Sequence, residues 1–460
     1  MMPQQSAAMG PADERAGGAY RPFWFLRESA ATPGVSPDLR WDPLVVCVAG
    51  YILMAVGRAH QLFPALGAVR PAVLTGLCAI ALYLVDRSEE RRWRRLFEPP
   101  TGHVIALLAW MALSVPGALV TSNSFDLLFD NFIKTVLMYL VIVGSVRGVR
   151  DVERLAIAYL AAAAVYATVV IFRFELGTGE AWRLGRLYYY DANDFATFAV
   201  SAMPFAAYVL HARGRTHARV PAALALGMLA LGFVYTGSRG GFIALVVMGG
   251  YMLVRYKGIP LRWRLTATAL VALVVLATAS DKYWQQMTTI VSDADYNRTE
   301  ETGRIQIWRR GIGYMLDNPL FGVGAANFQT AEGTLSQQAH RQQLGIGVRW
   351  NAAHNTFVQI GAELGIPGLV LLFAIIAGAF RALPRASGIV PTGDAAPDTP
   401  HLAQSIAAAL VGFLVGAFFL SLAYSEMLYT LVALAVGLQK ANGLAAANDG
   451  STPHEAGFTR

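Results

Sequence analysis

Two side chains of one polar segment, Arg304 and His354, have the chemistry expected of an anion site with a base. Arg304 lies in the run TGRIQIWRRG, and His354 stands with Asn355 at the start of a long apolar run. A guanidinium pairs with phosphate through two hydrogen bonds, and a neutral histidine accepts protons near neutral pH. The positive end of a helix dipole would favour an anion beside His354. Two plainer alternatives stay open, because a lone histidine is usually structural and Asn355 could simply cap the helix.

The elements that must position these residues are membrane helices. The 460 residues are 55% hydrophobic and only 15% charged, whereas soluble proteins carry about 25% charged residues. A spanning helix needs about 20 mostly apolar residues. We predict an all-α integral membrane protein of about twelve transmembrane helices with a long periplasmic loop that contains short helices. The apolar runs lie near 43–63, 68–85, 103–120, 130–146, 153–173, 193–211, 218–236, 240–255, 263–280, 355–380, 402–423 and 426–440.

Basic residues concentrate in alternate loops, and SNSFDLLFD between two of these loops has none. The positive-inside rule then places both termini in the cytoplasm. The first forty residues have no apolar core, so no cleavable signal peptide is expected. The predicted organisation is a disordered cytoplasmic tail (1–40), helices one to nine (41–280), a periplasmic loop with the catalytic elements (281–353), helices ten to twelve (354–440) and a second disordered cytoplasmic tail (441–460).

The remaining composition excludes several classes of protein. The net charge of +7 sits mostly in short loops, which is typical of membrane topology rather than of nucleic-acid binding. Cys47 and Cys78 lie within apolar runs, so neither a disulfide framework nor a zinc site is expected. Asp293 and Asp295 form a D-x-D pattern that is too degenerate to predict a metal site.

Several arginines remain on the predicted outer face, against the positive-inside preference. They are Arg70, Arg173, Arg183, Arg186, Arg239, Arg298, Arg304, Arg309, Arg310, Arg341 and Arg349. Anion binding would explain them; contacts with lipid headgroups and surface ion pairs are the alternative.

Residues 302–316 have the pattern of an interfacial helix. The apolar positions recur at helical spacing: Ile305, Trp308, Ile312 and Met315. Arg304 and Arg309 flank this stripe, while Arg310 projects away from it and is expected to face solvent.

Two further outer motifs could serve an anionic or sugar ligand. In TGSRGG, Arg239 could project into a cavity surrounded by backbone N–H groups, or the motif could be an ordinary glycine-rich hairpin. In RLYYYDANDF, which includes Tyr190, Asp191 and Asn193, sugar stacking and an aromatic belt at the membrane interface explain the tyrosines almost equally well.

Ionisable residues within apolar runs are functional candidates because their burial in a membrane is costly. Glu363 precedes Pro367, which together with Gly365 predicts a kink or break in the helix. Lys134 has the same status, with Asp130 one turn earlier as its candidate partner.

Taken together, the motifs resemble the O-antigen ligase and polymerase family of bacterial membrane proteins. The matching segments are DANDFA (191–196), TGSRGG (236–241), GRIQIW (303–308), FGVGAANF (321–328) and HNTFVQIGAELGIPGL (354–369). Their order, spacing and predicted outer placement carry the resemblance, which covers about residues 150 to 380. It implies a GT-C-like fold with a periplasmic active site, and neither a metal nor any other cofactor.

The resemblance also implies roles for individual residues. His354 matches the family's essential histidine, Arg304 the arginine upstream of it, and Arg239 the arginine of the SR turn. The predicted catalytic set is therefore His354, Arg304 and Arg239. The predicted substrate-binding set is Arg186, Arg309, Asn355, Tyr190, Asp191 and Asn193.

The expected activity is metal-independent, inverting transfer of a glycan from undecaprenyl pyrophosphate to a lipid A–core sugar hydroxyl, in the bacterial inner membrane. Membrane lipids are the other expected partners, and nucleic acid is not. An O-antigen polymerase and a protein O-oligosaccharyltransferase of the same family are the alternatives. A transporter or flippase is a rival from another class, because Glu363, Lys134 and Pro367 would also suit one.

Overall fold

The structure is a computed structural model that describes residues 41–173, 183–184, 190–212, 216–256, 259–290, 300, 302–337, 339, 341, 350–386 and 398–448. Within these ranges every regular element is helical, as predicted. The tail predicted at 1–40, most of the tail predicted at 441–460, the D-x-D pattern and Arg186 lie outside the described residues.

The helices, in chain order, are α1 (Pro43–Tyr51), α2 (Ala59–Leu62), α3 (Pro64–Gly67), α4 (Pro71–Val85), α5 (Pro99–Ser114), α6 (Thr121–Asp126), α7 (Ile133–Ser145), α8 (Val149–Arg173), α9 (Ala192–His211), α10 (Thr216–Thr236), α11 (Arg239–Arg255), α12 (Leu261–Thr278), α13 (Asp281–Thr288), α14 (Arg304–Asp317), α15 (Phe328–Thr334), α16 (Thr356–Ala386), α17 (Thr399–Ala417) and α18 (Glu426–Asn448). A π-helical segment, Ile52–Val56, continues α1, and another, Leu127–Phe132, joins α6 to α7. Three short 3₁₀ turns lie at Glu89–Arg91, Trp93–Leu96 and Val115–Gly117.

Each of the twelve predicted apolar runs lies on a helix, but twelve membrane spans are not confirmed. Among the described residues, eight helices are long and apolar enough to cross a bilayer. The helices at Pro43–Val56 and Pro71–Val85 are apolar but shorter, and α9 and α11 are not among the eight. Apolar runs predict where helices form better than they predict how many of those helices span.

Helices α9, α11 and α17 pack together at the centre of the bundle. Close approach of α17 to α9 depends on Gly412 and Gly416, a small-x-x-x-small pair. A Cβ added at Gly416 would come within 2.3 Å of the Thr197 hydroxyl oxygen. In contrast, α12 lies at the margin, where Val275 is its one buried residue.

The predicted break in the helix that follows His354 is confirmed. Gly365 interrupts α16 with φ 70° and ψ −170°. Pro367 has no N–H, so the Glu363 carbonyl has no helical partner. The backbone N–H of Gly324, in the 319–327 loop, donates to that carbonyl at 3.0 Å. Irregular backbone inside a bundle needs such partners, so this loop and the broken helix stabilise each other.

Glycine in this loop follows from the close approach. Gly322 has φ 63°, and a Cβ there would lie 2.3 Å from the Ala362 carbonyl oxygen. The neighbouring Val323 N–H donates to the same oxygen at 2.8 Å. The backbone of the FGVGAANF motif therefore hydrogen-bonds to the carbonyl groups at the break in α16.

The two intramembrane candidates differ from expectation. Asp130 and Lys134 pair as predicted, at 3.6 Å, but their side chains are 73% and 64% exposed on the bundle surface, so they line no internal path. Glu363 is buried, and its carboxylate accepts from the Tyr424 hydroxyl at 2.9 Å and the Phe328 N–H at 3.4 Å. Its contacts join α16 to the first residue of α15 and to Tyr424, which accounts for its burial structurally.

An ion network joins α1, α4, α7 and α8 at the bundle end remote from His354. Arg91, 5% exposed, bridges Asp42 and Asp86 at 2.5 Å each and donates to the Ser145 carbonyl. Arg147 pairs with Asp42 at 2.8 Å. Burial raises the pKa of Asp86, but hydrogen bonds from Ser88 and Arg91 outweigh burial and lower the pKa to about 2. We call this set the Arg91 network.

Candidate functional site

The candidate site is assembled on the turn at residues 418–425, which connects α17 to α18. Three predicted motifs meet this turn: the start of α11 with Arg239, the start of α14 with Arg304, and the segment that leads into α16 with His354. The sequence predicted these motifs separately, and the turn is what brings them together.

His354 lies just outside a helix, rather than opening one as expected. α16 begins at Thr356, and Asn355 is its cap: the side-chain oxygen accepts from the N–H groups of Phe357 and Val358 at 2.9 and 3.0 Å. The capping alternative for Asn355 is thus the one with geometric support. Because His354 precedes the cap, the helix dipole acts on it less directly than predicted.

The backbone at His354 has a left-handed conformation, with φ 47°. Such a conformation is uncommon outside glycine and is concentrated at functional sites. Its N–H donates to the Ser421 hydroxyl at 3.0 Å, and the imidazole is half-buried. The turn therefore holds the backbone of His354 in this conformation.

A polar stripe on α16 fixes the same turn. The Thr356 hydroxyl donates to the Leu420 carbonyl at 2.8 Å and accepts from the Leu422 N–H at 3.0 Å. Gln359, one turn later, accepts from the Ala423 N–H at 3.3 Å. Ser421 therefore sits in a segment whose backbone is fastened on both sides of it.

Helix α14 brings Arg304 to His354 through Trp308. The indole N–H of Trp308 donates to the Ala353 carbonyl, the residue before His354, at 3.0 Å. The Trp308 ring also packs edge-on against Phe418, with centroids 5.4 Å apart. Arg304 is the first residue of α14, one turn before Trp308, and is half-buried. Its position at this end of the helix is thus set by an anchored neighbour.

The predicted apolar stripe of this helix is right only in part. Trp308 packs on Phe418, but Ile312 is 44% exposed. The fully buried positions of α14 are Ile307, Gly311 and Tyr314. The helix turns this face to α16 because Gly311 allows contact: a Cβ there would lie 2.5 Å from a Val358 methyl. Tertiary packing selected a face that a search for large apolar residues overlooks.

Arg310 was expected to face solvent, and this prediction is also wrong. It lies within the buried stripe and pairs with Glu332, which is 1% exposed, at 2.6 Å. The Tyr314 hydroxyl donates to the same carboxylate at 2.9 Å. The hydrogen bond to Glu332 raises the pKa of Arg310. Arg309, its neighbour, is exposed. Arg310 thus joins α14 to α15 as a structural ion pair.

Arg239 is the first residue of α11, which Ser238 caps by accepting from the Gly241 N–H at 3.1 Å. Its guanidinium donates to the Thr289 hydroxyl, just after α13, at 2.8 Å. A Cβ at Gly240 would lie 2.9 Å from Cβ of Phe419. The TGSRGG turn therefore packs directly on the 418–425 turn, which places Arg239 on the same side of the bundle as Ser421.

Arg183 connects the TGSRGG and DANDFA motifs, although its sequence context predicts no specific role for it. Its guanidinium donates to the Thr236 carbonyl at 2.5 Å and to the Asn193 side-chain oxygen at 3.0 Å. Asn193 is one of the predicted substrate-binding residues. In the sequence, only its place among the arginines of the predicted outer face indicated that Arg183 could matter.

The other residues of the DANDFA region have local structural roles. Exposed Asp191 caps α9 by accepting from the N–H groups of Asn193 and Asp194 at 2.7 and 2.8 Å. Tyr190 is 5% exposed, and its hydroxyl donates to the Val56 carbonyl at 2.6 Å. Neither a membrane belt nor a sugar-stacking surface was found for Tyr190, because its ring lies in the core beside Tyr166.

The arrangement suits an anion more than a metal ion. Arg239 and Arg304 are each the first residue of a helix, where the dipole disfavours a cation and favours an anion. A bound anion would gain from the guanidinium and the helix end together. Among the described residues, no group of three or more His, Cys, Asp or Glu side chains could hold a metal ion.

Comparison with known proteins agrees with these motifs. Residues 223–373 match the model of the family Wzy_C, described as O-antigen ligase. No curated protein matches the chain. The matched segment contains Arg239, Arg304, His354 and the break at Gly365. The resemblance drawn from the sequence is confirmed by this match, in which residues 223–373 are similar to the O-antigen ligase family.

Proposed function

We propose that the protein is an O-antigen ligase. It transfers a glycan from undecaprenyl pyrophosphate to a sugar hydroxyl of lipid A–core, at the periplasmic face of the bacterial inner membrane. The observation that carries this proposal is that the segments bearing Arg239, Arg304 and His354 all pack on the 418–425 turn. The family match supports glycan transfer in general. The three residues supply a base and two cations for transfer from a pyrophosphate donor.

In the proposed reaction the acceptor hydroxyl gives its proton to His354 as its oxygen attacks the anomeric carbon. The bond from that carbon to the pyrophosphate oxygen breaks, and undecaprenyl pyrophosphate leaves with the electron pair. General-base catalysis of this type contributes about 10²–10⁴-fold. A single displacement inverts the anomeric carbon.

Arg304 and Arg239 are proposed to bind the pyrophosphate. Negative charge grows on this group as the bond breaks, and fixed guanidinium groups at low dielectric stabilise such charge effectively. Anchoring of Arg304 through Trp308 would keep it in place between turnovers. In this mechanism the arginines and helix ends provide the charge stabilisation, with no metal ion required.

The topology follows from the same proposal. Both termini lie in the cytoplasm, and the His354 end faces the periplasm. A reporter fused after Gly450 should therefore be cytoplasmic, and one inserted near Ser336 should be periplasmic. The opposite location at either point would contradict this orientation.

The acceptor is tested by offering the purified full chain a lipid-linked glycan with lipid A–core, with free glycan or with a protein. Transfer to lipid A–core, lost in His354→Asn, is expected. Preferential transfer to glycan would identify a polymerase, and transfer to serine or threonine a protein O-oligosaccharyltransferase. Because detergent removes compartments, a transporter would give no covalent product with any acceptor, and that outcome would overturn the proposal.

A further inference from the structure

A large apolar cavity lies beside the candidate site and takes no part in the chemistry described so far. Its volume is about 540 Å³, and it is enclosed by α9, α10, α11 and α12, with Trp284 of α13 at one end. Its walls are apolar almost throughout. His211, Tyr256 and Arg264 are among the few polar residues, and they lie at the opposite end from Trp284.

The cavity exists because α12 stands away from the bundle. α12 packs on α10 and α11 while Val275 is its one buried residue. Leu273 and Leu276 remain more than 60% exposed. A gap between helices in a membrane is filled by lipid, since an empty apolar space forfeits the dispersion contacts of its walls. The cavity is therefore suited to hold a hydrocarbon chain.

The cavity is continuous with the end of the bundle that carries Arg239. On α11 its walls begin at Phe242, less than one turn after Arg239, and continue to Tyr256 just beyond the helix. At 1.5 Å per residue these positions extend over about 20 Å, or roughly two thirds of a bilayer core. Arg239 also contacts Thr289, five residues after the wall residue Trp284. The cavity thus extends over much of the bilayer core, and its walls on α11 begin three residues after Arg239.

We propose that this cavity binds the polyprenyl chain of the lipid-linked donor while Arg239 holds its pyrophosphate. The inference rests on the proposed function and adds to it the means by which the enzyme recognises the lipid part of its donor. A long isoprenoid chain suits a long apolar channel whose walls begin three residues after Arg239, the proposed pyrophosphate ligand. A soluble anion with no chain would leave the channel unused.

Two glycines allow a direct test by filling the space. A Cβ added at Gly249 or Gly250, both of which line the cavity, meets no atom within 4 Å. The Cβ of Gly249→Phe therefore meets no protein atom, its ring should occupy part of the channel, and loss of a mid-helix glycine favours helix formation. The matched control is Gly227→Phe on α10, which also enters open space but does not line the cavity.

The experiment measures binding of undecaprenyl pyrophosphate and of geranyl pyrophosphate, a two-isoprene probe, to the purified full chain. Gly249→Phe should weaken the long-chain probe at least tenfold and leave the short probe unchanged, while Gly227→Phe should alter neither. A photoreactive group on the long chain should label one of the helices that line the cavity, α9 to α12. Equal affinity of Gly249→Phe and the unmodified protein for the long-chain probe would overturn the inference, as would labelling confined to helices that do not line the cavity.

A phospholipid is the competing occupant. If Gly249→Phe loses co-purifying phospholipid but keeps full affinity for undecaprenyl pyrophosphate, the cavity is a general lipid site and the inference is wrong. The proposed function fails in a different way: binding would follow chain length as expected, yet no acceptor would receive glycan. Normal transfer by Gly249→Phe at low donor concentration would instead leave the function in place and refute the cavity's role.

Discussion

The two ends of the bundle use arginine in opposite ways. In the Arg91 network each guanidinium meets carboxylates, and Arg91 itself is nearly inaccessible. At the His354 end, Arg239 donates to a threonine hydroxyl and begins a helix whose dipole opposes its charge. An arginine neutralised by carboxylates stabilises the fold, whereas one placed at a positive helix end is arranged to receive an anion.

Arg310 shows that position alone does not assign an arginine to either class. It lies on the same helix as Arg304, but Glu332 neutralises it, so it belongs with Arg91 in function. We therefore predict that the two groups of arginines fail differently when substituted: those paired with buried carboxylates in stability, and those that begin helices at the His354 end in transfer.

The largest expected effect is on transfer by His354→Asn. Asparagine tolerates the left-handed backbone at this position but cannot serve as the base, so we expect a loss of about 10³-fold. Donor affinity should be unchanged because the arginines remain. Single-turnover transfer and donor binding, measured separately, check this.

The pH dependence sharpens this prediction. Histidine changes charge between about pH 5 and 8, and a protonated imidazole cannot accept a proton. The rate should therefore fall as the pH falls through this range. A rate that rises, together with weaker donor binding in His354→Asn, would make His354 a hydrogen-bond donor to the pyrophosphate instead.

Arg91→Ala should be the most damaging substitution for stability. It leaves Asp86 without its ion-pair partner, whereas Asp42 keeps Arg147. Because the carboxylates are partly exposed, we expect a loss of about 3 kcal/mol, the low end for a broken buried ion pair. Thermal unfolding in detergent measures the change. Arg92→Ala is the control, because its pair with Glu89 is exposed and such pairs contribute less than about 1 kcal/mol. Equal effects would remove the distinction between the two arginines.

Arg310→Ala should cost about 2 kcal/mol of unfolding free energy, because buried Glu332 keeps only neutral partners. The sequence alone predicts a mild effect. Arg309→Ala is the matched control, since Arg309 is exposed and surface substitutions usually change stability by less than about 0.5 kcal/mol. Indistinguishable unfolding curves for the two variants would contradict the structural role of Arg310.

Arg304→Lys should have the smallest of these effects, a loss of about tenfold in kcat/KM for the donor, or about 1.4 kcal/mol. Lysine keeps the charge but not the planar pair of donors. Stability should hardly change, in contrast to Arg310→Ala. Full activity of Arg304→Lys would show that bidentate contact with the pyrophosphate is unnecessary.

Local sequence patterns predicted the helices and the break in α16 well. Apolar runs locate helices because a membrane admits few other backbone structures. The break is predictable because Pro367 has no backbone N–H and so removes a helical hydrogen bond in any tertiary context. The turn at 418–425 could not be predicted as part of the site. Ser421 has no motif around it, and its partner His354 is 67 residues away in the chain.

The expectations for α14 and for Tyr190 failed because each depends on a contact with a residue that is distant in the chain. Large apolar residues predict the buried face of a helix only where side-chain size decides the packing. On α14, Gly311 instead allows close contact with α16. Arg310 was misplaced because Glu332, which makes its burial tolerable, lies 22 residues away. Tyr190 was assigned by its aromatic neighbours, whereas its hydroxyl is satisfied by a distant carbonyl.

The use of the 418–425 turn has a consequence for biosynthesis. Arg239, Arg304 and His354 are all made before this turn leaves the ribosome, yet His354 has its backbone partner only once Ser421 has been added. A nascent chain stalled after α16 would carry every proposed catalytic side chain without the segment that gathers them. Such a chain should be inserted in the membrane but inactive, so that glycan transfer begins only when the last two helices have been inserted.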